Sequence, residues 1–250
     1  MSLPMHHNEE CSEAVIPPAG ESKRLEELRA AEQQAFELLF FIEEHNVIRP
    51  GRTERDIEKE ILYIAQNNFG IAQHWHKRIV RAGVNTLSIF ADNPEVVEVK
   101  DDDIVFLDLG PVFDHWEADV GKTYVIGNNP EKVKLVDELS RQFSLVEDRF
   151  MKEPSITGAD LYRFACDCAS RAGYTFGGKI AGHIVAEFPH AHLPGDRQDH
   201  HISLANPLPL SHRDPLGRKR YWIIEIHLVA ADGSFGGFYE RLADRANLLL

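Results

Sequence analysis

The stretch FLDLGPVFDHWEADVGKTYVIG, residues 106–127, sets two carboxylates inside segments that are otherwise apolar. Alternation predicts a strand over residues 104–109 in which Asp108 shares a face with Ile104 and Phe106. A second strand is predicted over residues 119–126, and Gly110-Pro111 lies in the connection between the two. Antiparallel pairing of these strands would bring Asp108 and Asp119 to one point. Burying a lone ionised carboxylate costs far more than a strand gains. Either that face is wet, or something positive waits there.

Outward from this stretch, the chain reads as helices and strands in a repeated order. Leu25, Leu28, Ala35, Leu38 and Ile42 recur at helical spacing, and Pro50-Gly51 stops the run. Thr53 caps a second helix with Ile57, Ile61 and Ile64 on one face and Gly70 at its end. Residues 73–82 read as a strand. Asn129-Pro130 opens a third helix carrying Val136, Leu139, Phe143, Val146 and Phe150. A fourth runs from near Thr157 to Gly173, and strands with long loops follow. Thr53, Asp56 and Ile57 recur in kind and spacing as Thr157, Asp160 and Leu161. Two helices followed by strands, twice over, predict an α+β fold of two similar halves packed as one domain. That domain is expected over residues 21–250, behind a flexible N-terminal tail at residues 1–20.

Composition bounds the function classes. The 250 residues, 43% hydrophobic and 27% charged, are those of an ordinary globular protein. A formal net charge of −13 argues against general nucleic-acid binding, which needs basic surface. The basic run HRDPLGRKR, residues 212–220, reads as a solvated loop. No apolar run approaches the ~20 residues needed to span a bilayer, and residues 1–22 lack the apolar core of a signal peptide. Cys11, Cys166 and Cys168 lack zinc-site spacing and read as free thiols in a reducing compartment. A cytoplasmic protein without membrane attachment is expected.

Three later residues repeat the anomaly of the aspartates. His183 follows Ala181-Gly182 on an apolar stretch, Glu225 stands among Ile223, Ile224, Ile226 and Leu228, and Glu240 follows Phe238-Tyr239. An acid flanked by isoleucines is either ion-paired or metal-bound. Four carboxylates and one imidazole form a hard, oxygen-rich set suited to manganese, iron, cobalt or zinc. Their charge balances two divalent cations, and two metals ~3.5–4 Å apart can activate a water and polarise a carbonyl.

These residues, in this order and setting, resemble the pita-bread metallopeptidases, a family that includes methionine aminopeptidases, Xaa-Pro aminopeptidases, prolidases and creatinase. The resemblance runs through IRPGRTERDIEKEI, FLDLG, EADVGKTYVIG, SITGADLYRFACDCASRAGY, AGH, WIIEI and FYERLADRANLLL. It implies a curved antiparallel sheet covered by helices, with Asp108, Asp119, His183, Glu225 and Glu240 holding two divalent ions. It also implies Glu225 as the proton carrier and His190 as the group that contacts the scissile carbonyl. His192 and His227 are further candidates for substrate contact, His227 because it shares a strand face with Glu225. The chain departs from the family where Ile89-Phe90-Ala91 stand in place of a histidine and Lys179 in place of another. The texture is closest to Xaa-Pro peptidases, without the N-terminal domain common among them. The activity implied is removal of an N-terminal residue from a short peptide. The alternatives are a small amino-acid derivative as substrate, hydrolysed or oxidised, or a binding module without catalysis. The long interval from His183 to Glu225 is expected to shape the pocket. The reading leaves room for a homodimer.

Overall fold

The computed structural model describes residues 20–190 and 197–244. The tail expected at residues 1–20 lies outside them apart from Gly20, as do Cys11 and His192. Helices α1 (Glu21–Glu44) and α2 (Glu54–Asn68) precede strands β1 (Ile79–Ala82), β2 (Asp103–Leu109), β3 (Val112–Phe113), β4 (Trp116–Glu117) and β5 (Val120–Ile126). Helices α3 (Pro130–Lys152) and α4 (Gly158–Arg171) precede β6 (Thr175–Phe176), β7 (Gly182–Val185), β8 (Tyr221–Val229) and β9 (Gly236–Leu242). The order helix, helix, strands therefore occurs twice.

The repeated cap motif does the same work in both halves. Thr53 Oγ1 accepts from Asp56 N at 3.2 Å while the Asp56 carboxylate accepts from Thr53 N, a closed capping box at the head of α2. Thr157 Oγ1 accepts from Asp160 N at 3.0 Å at the head of α4. Both helices end before a glycine in the left-handed region, Gly70 at φ +66° and Gly173 at φ +85°. Thr53→Ala is expected to cost about 1 kcal/mol of unfolding free energy, measured by urea denaturation. A change near zero would show that the box adds nothing to α2.

The strand expected at residues 73–82 is shorter than its alternation suggested. Trp75 N donates to Gly110 O and Val112 N donates to Gln73 O, with an isolated bridge between His74 and Pro111. Residues 73–78 thus track the connection after β2, and only Ile79–Ala82 pair along β2 itself. The backbone bonds of this segment go to a loop instead of a ladder.

Seven strands form one antiparallel sheet in the order β1-β2-β5-β9-β8-β6, with β7 also paired to β8. The halves join where β5 meets β9, Gly121 opposite Glu240. A Cβ on Gly121 would stand 2.7 Å from the Phe238 ring and 2.9 Å from Glu240 Cγ, so only glycine lets those side chains lie across β5.

The two faces of the sheet have different neighbours. Val105, Leu107 and Leu109 of β2 join one apolar core with α1 and α2, while Trp222, Ile224, Ile226 and Leu228 of β8 join another with α3 and α4. The opposite side chains, Phe106 and Asp108 on β2, Glu225 and His227 on β8, Phe238 and Glu240 on β9, line a cavity. Period-two alternation sends these apolar residues to the helices and Asp108, Glu225 and Glu240 to the cavity. Helix α1 also grips the second half. Buried Arg24 pairs with Glu187 at 2.9 Å and donates to Lys219 O, and Glu32 accepts from Leu242 N at 2.7 Å.

Candidate metal centre

Strand register brings the five singled-out residues together. Asp108 sits opposite Gly121 in the β2–β5 pair, and Asp119 directly precedes β5. Glu225 and Glu240 face each other across β8 and β9, and β7 presents His183 opposite Ile223. All five line one cavity of about 510 Å³ whose apolar wall includes Ile79, Phe90, Phe106 and Phe238. His183 Nε2 lies 2.9 Å from Asp119 Oδ2 and 3.7 Å from Glu225 Oε1. Its Nδ1 is 2.8 Å from Ile184 O and donates there, which leaves Nε2 as the nitrogen that faces the carboxylates.

A sixth polar residue enters from outside the predicted set. His76 Nε2 lies 3.1 Å from Asp119 Oδ1 and 3.3 Å from Asp108 Oδ1. Its neighbour Trp75 packs edge-on against the rings of His76, His183 and His190, at centroid distances of 4.3, 5.2 and 4.8 Å. The sequence reading placed no histidine near Phe90. The fold supplies one, because His76 comes to 5.6 Å from the Phe90 ring. The signal was the His-Trp-His run at residues 74–76, which alternation alone assigned to an ordinary strand.

The electrostatics follow from burying acids together. Burial pushes the Asp108 carboxyl up to about 6, with Asp119 adding to the push and His76 opposing it. Burial works to raise Asp119 as well, but His76 and His183 reverse this and hold it at about 2. Burial raises Glu225 to about 8 and Glu240 well above the carboxylate range, and the two aspartates repel both. Burial opposes charge on His183 and His76, yet the adjacent carboxylates raise each to about 9. Four acids thus face two imidazoles, and Glu240 Oε1 is buried without a hydrogen-bond partner. An orphaned buried oxygen in a set of carboxylates and imidazoles fits a divalent cation. Two groups of donors have atoms within 4.8 Å of one another: His76, Asp108 and Asp119, and Asp119, His183 and Glu240.

The remaining candidates divide. His190 lines the cavity with its ring stacked 6.1 Å from that of His183. Buried Glu117 fixes it twice, accepting from His190 N at 2.8 Å and from Nδ1 at 2.7 Å. That leaves Nε2 as the ring's other polar atom. Glu117 was missed because an acid two residues before Asp119 reads as surface charge until its partners fold around it. His227 lines the cavity beside Glu225, but its Nε2–H is given to Thr86 O at 2.8 Å, which makes it a wall. His200 and His201 also line the cavity, so part of the long segment between β7 and β8 does shape it. Cys166 and Cys168 are both free.

Comparison with known proteins agrees with this architecture. The model of metallopeptidase family M24 matches residues 24–237. An Xaa-Pro dipeptidase of Lactobacillus helveticus is 29% identical over 154 residues, which is 62% of this chain and 40% of that protein. One from Pyrococcus horikoshii is 27% identical over 132 residues, 51% of this chain and 35% of that protein. The chain therefore spans well under half the length of these relatives. Among solved structures, a prolidase from Thermococcus sibiricus superposes with a TM-score of 0.65 at 20% identity, covering 88% of this chain and 55% of that one. An X-Pro aminopeptidase from Thermotoga maritima gives 0.65 at 21% identity, covering 88% and 58%. At these identities the structures speak for the fold: two α+β halves around one antiparallel sheet. The family match covers most of the sequence and contains Asp108, Asp119, His183 and Glu225, with Glu240 three residues beyond its end. The chain belongs to metallopeptidase family M24.

Proposed function

We propose that this chain is a metal-dependent peptidase that removes an N-terminal residue from short peptides, with an Xaa-Pro bond as the preferred target. The observation that carries the reading is the convergence of three buried acids, the half-buried Glu225 and two histidines, with one orphaned oxygen, at the wall of an apolar cavity. The Xaa-Pro dipeptidases among its relatives support the substrate class. Residues 21–250 would act as one catalytic domain, since a single sheet runs through both halves. Among the described residues no helix is long and apolar enough to cross a membrane. The free thiols support a cytoplasmic setting.

Asp108, Asp119, His183, Glu225 and Glu240 would hold two divalent ions, manganese, iron, cobalt or zinc. Bound there, such ions supply Lewis-acid polarisation of a carbonyl and a water acidic enough to attack it. The chain's own groups do the rest. Glu225, ionised once an ion is bound beside it, can take a proton at its carboxylate oxygen and return it to the departing amine. His190, clamped at Nδ1 by Glu117, can donate from Nε2 to the oxygen that gains charge. Phe90, Phe106 and Phe238 exclude water and receive the apolar side chain or proline ring, and His227 adds its ring face.

The test is a panel of Xaa-Pro and Met-Xaa peptides offered to protein loaded with manganese, iron, cobalt or zinc. Release of the N-terminal residue is expected. No turnover with metal demonstrably bound would sink the peptidase reading and favour a small amino-acid derivative as substrate. Phe90 on the cavity wall, where family peptidases keep a histidine, is what motivates that second reading. His190→Ala is expected to lower kcat by about 10²-fold with unchanged metal content; an unchanged kcat removes His190 from the mechanism.

Metal affinity should rise with pH. Glu225 and Glu240, with carboxyls raised, and His76 and His183, at about 9, hold protons that an ion must displace. Titration calorimetry with manganese should show Kd falling between pH 6 and pH 8, by up to about tenfold per pH unit for each proton released. A flat profile would contradict the protonated state of these acids.

A further inference from the structure

We infer that His76 is a metal ligand in its own right, joining Asp108 and Asp119 around one of the two ions. The inference rests on the metal-centre reading above and adds a protein ligand to it.

The geometry around Asp119 is nearly symmetrical. One of its oxygens lies 2.9 Å from His183 Nε2 and the other 3.1 Å from His76 Nε2. Each imidazole has its Nδ1 against a main-chain carbonyl of the following residue, Ile184 O at 2.8 Å and Lys77 O at 2.6 Å. A histidine that donates Nδ1–H to a backbone carbonyl keeps that proton when an ion displaces the one on Nε2, the form and orientation typical of a ligating histidine. His76 has the same tautomer lock, the same carboxylate and the same nitrogen forward as His183. Asp119 belongs to both donor groups, His76 with Asp108 on one side and His183 with Glu240 on the other.

The position of His76 is built, not incidental. Its side chain is 5% exposed and wedged between Trp75 and Phe90. Trp75 is itself tied down, with Nε1 donating to Ala118 O at 3.0 Å and its backbone N donating to Gly110 O. A Cβ at position 110 would come within 2.3 Å of His76 Cδ2 and 2.4 Å of both His76 Nε2 and Trp75 Nε1. Glycine at the end of β2 is therefore what lets this imidazole reach the aspartates. An imidazole so enclosed, aimed at two carboxylates and bonded to no other side chain by Nε2, completes an ion's nitrogen and oxygen set. The competing role is an imidazolium that only neutralises Asp108 and Asp119, and the two roles differ once metal is present.

The experiment uses the whole chain, stripped by chelation and reloaded with two equivalents of cobalt(II). Each coordinated imidazole that keeps its Nδ1–H gives one hyperfine-shifted, solvent-exchangeable proton signal. Two such signals are expected from the wild type and one from His76→Gln. Calorimetry with manganese should show two sites in the wild type, one of them weakened at least about tenfold in His76→Gln and the other unchanged. A single shifted imidazole proton in the wild type, which needs no variant, overturns the assignment while leaving the metal centre standing. So does a His76→Gln protein that binds both ions with wild-type affinity. A wild type that takes up no divalent ion overturns this inference and the metal-centre reading together.

Discussion

Asp119→Ala is expected to hold neither of the proposed ions tightly and to lose at least about 10³-fold in the proposed peptidase activity. Asp119 is the one carboxylate shared by both donor groups, and each of its oxygens faces a different histidine. Removing it leaves His76 beside Asp108 and His183 beside Glu225 and Glu240, each group without the carboxylate that completes it. Asp108→Ala, by comparison, should disable one ion's site and leave the other able to load, because Asp108 belongs to the His76 group alone. Metal content after dialysis, measured by mass spectrometry, separates the cases: close to none for Asp119→Ala and about half of wild type for Asp108→Ala. Full metal content in either variant would show that the cavity's acids are not the ligands.

Gly182→Ala is expected to destabilise the fold by about 3 kcal/mol or more, read from the denaturation midpoint, and to weaken metal binding with it. Gly182 adopts φ +141°, and a Cβ there would lie 2.0 Å from Ile223 O in the neighbouring strand. Position 182 pairs with Ile224 and position 183 with Ile223. A side chain at 182 must therefore push β7 away from β8, and His183 moves with β7. Unchanged stability would mean that β7 does not lie this close to β8.

Both variants act through features that the sequence displayed to different degrees. Asp108 and Asp119 were legible because strand alternation is a local property, and an acid on an apolar face violates it wherever the strand ends up. Glu225 was legible for the same reason, more sharply, since isoleucines flank it on both sides. The helix caps at Thr53 and Thr157 were legible because a cap involves residues three apart. His76 was not. Its segment leaves the β1 alignment to follow the connection after β2, and that departure depends on Trp75 meeting Gly110 and Gln73 meeting Val112. Glu117 was hidden likewise, since its role exists only where His190 comes down on it. His227 shared the face of Glu225 as alternation required, but the Thr86 carbonyl took its ring nitrogen, and no strand pattern reports a partner so distant.

Sequence by itself determined that the chain forms two α+β halves, that acids punctuate its apolar strands, and that those acids need a positive partner. These follow from periodicity, capping and the cost of burying charge, all of which act over a few residues. Tertiary structure decided which groups meet. The β5–β9 junction at Gly121 and Glu240 joins the halves, Asp119 comes to stand between two imidazoles, and Gly110 opens the space that admits one of them. Those outcomes depend on strand register and on contacts between residues far apart in the chain, so no local pattern could have contained them.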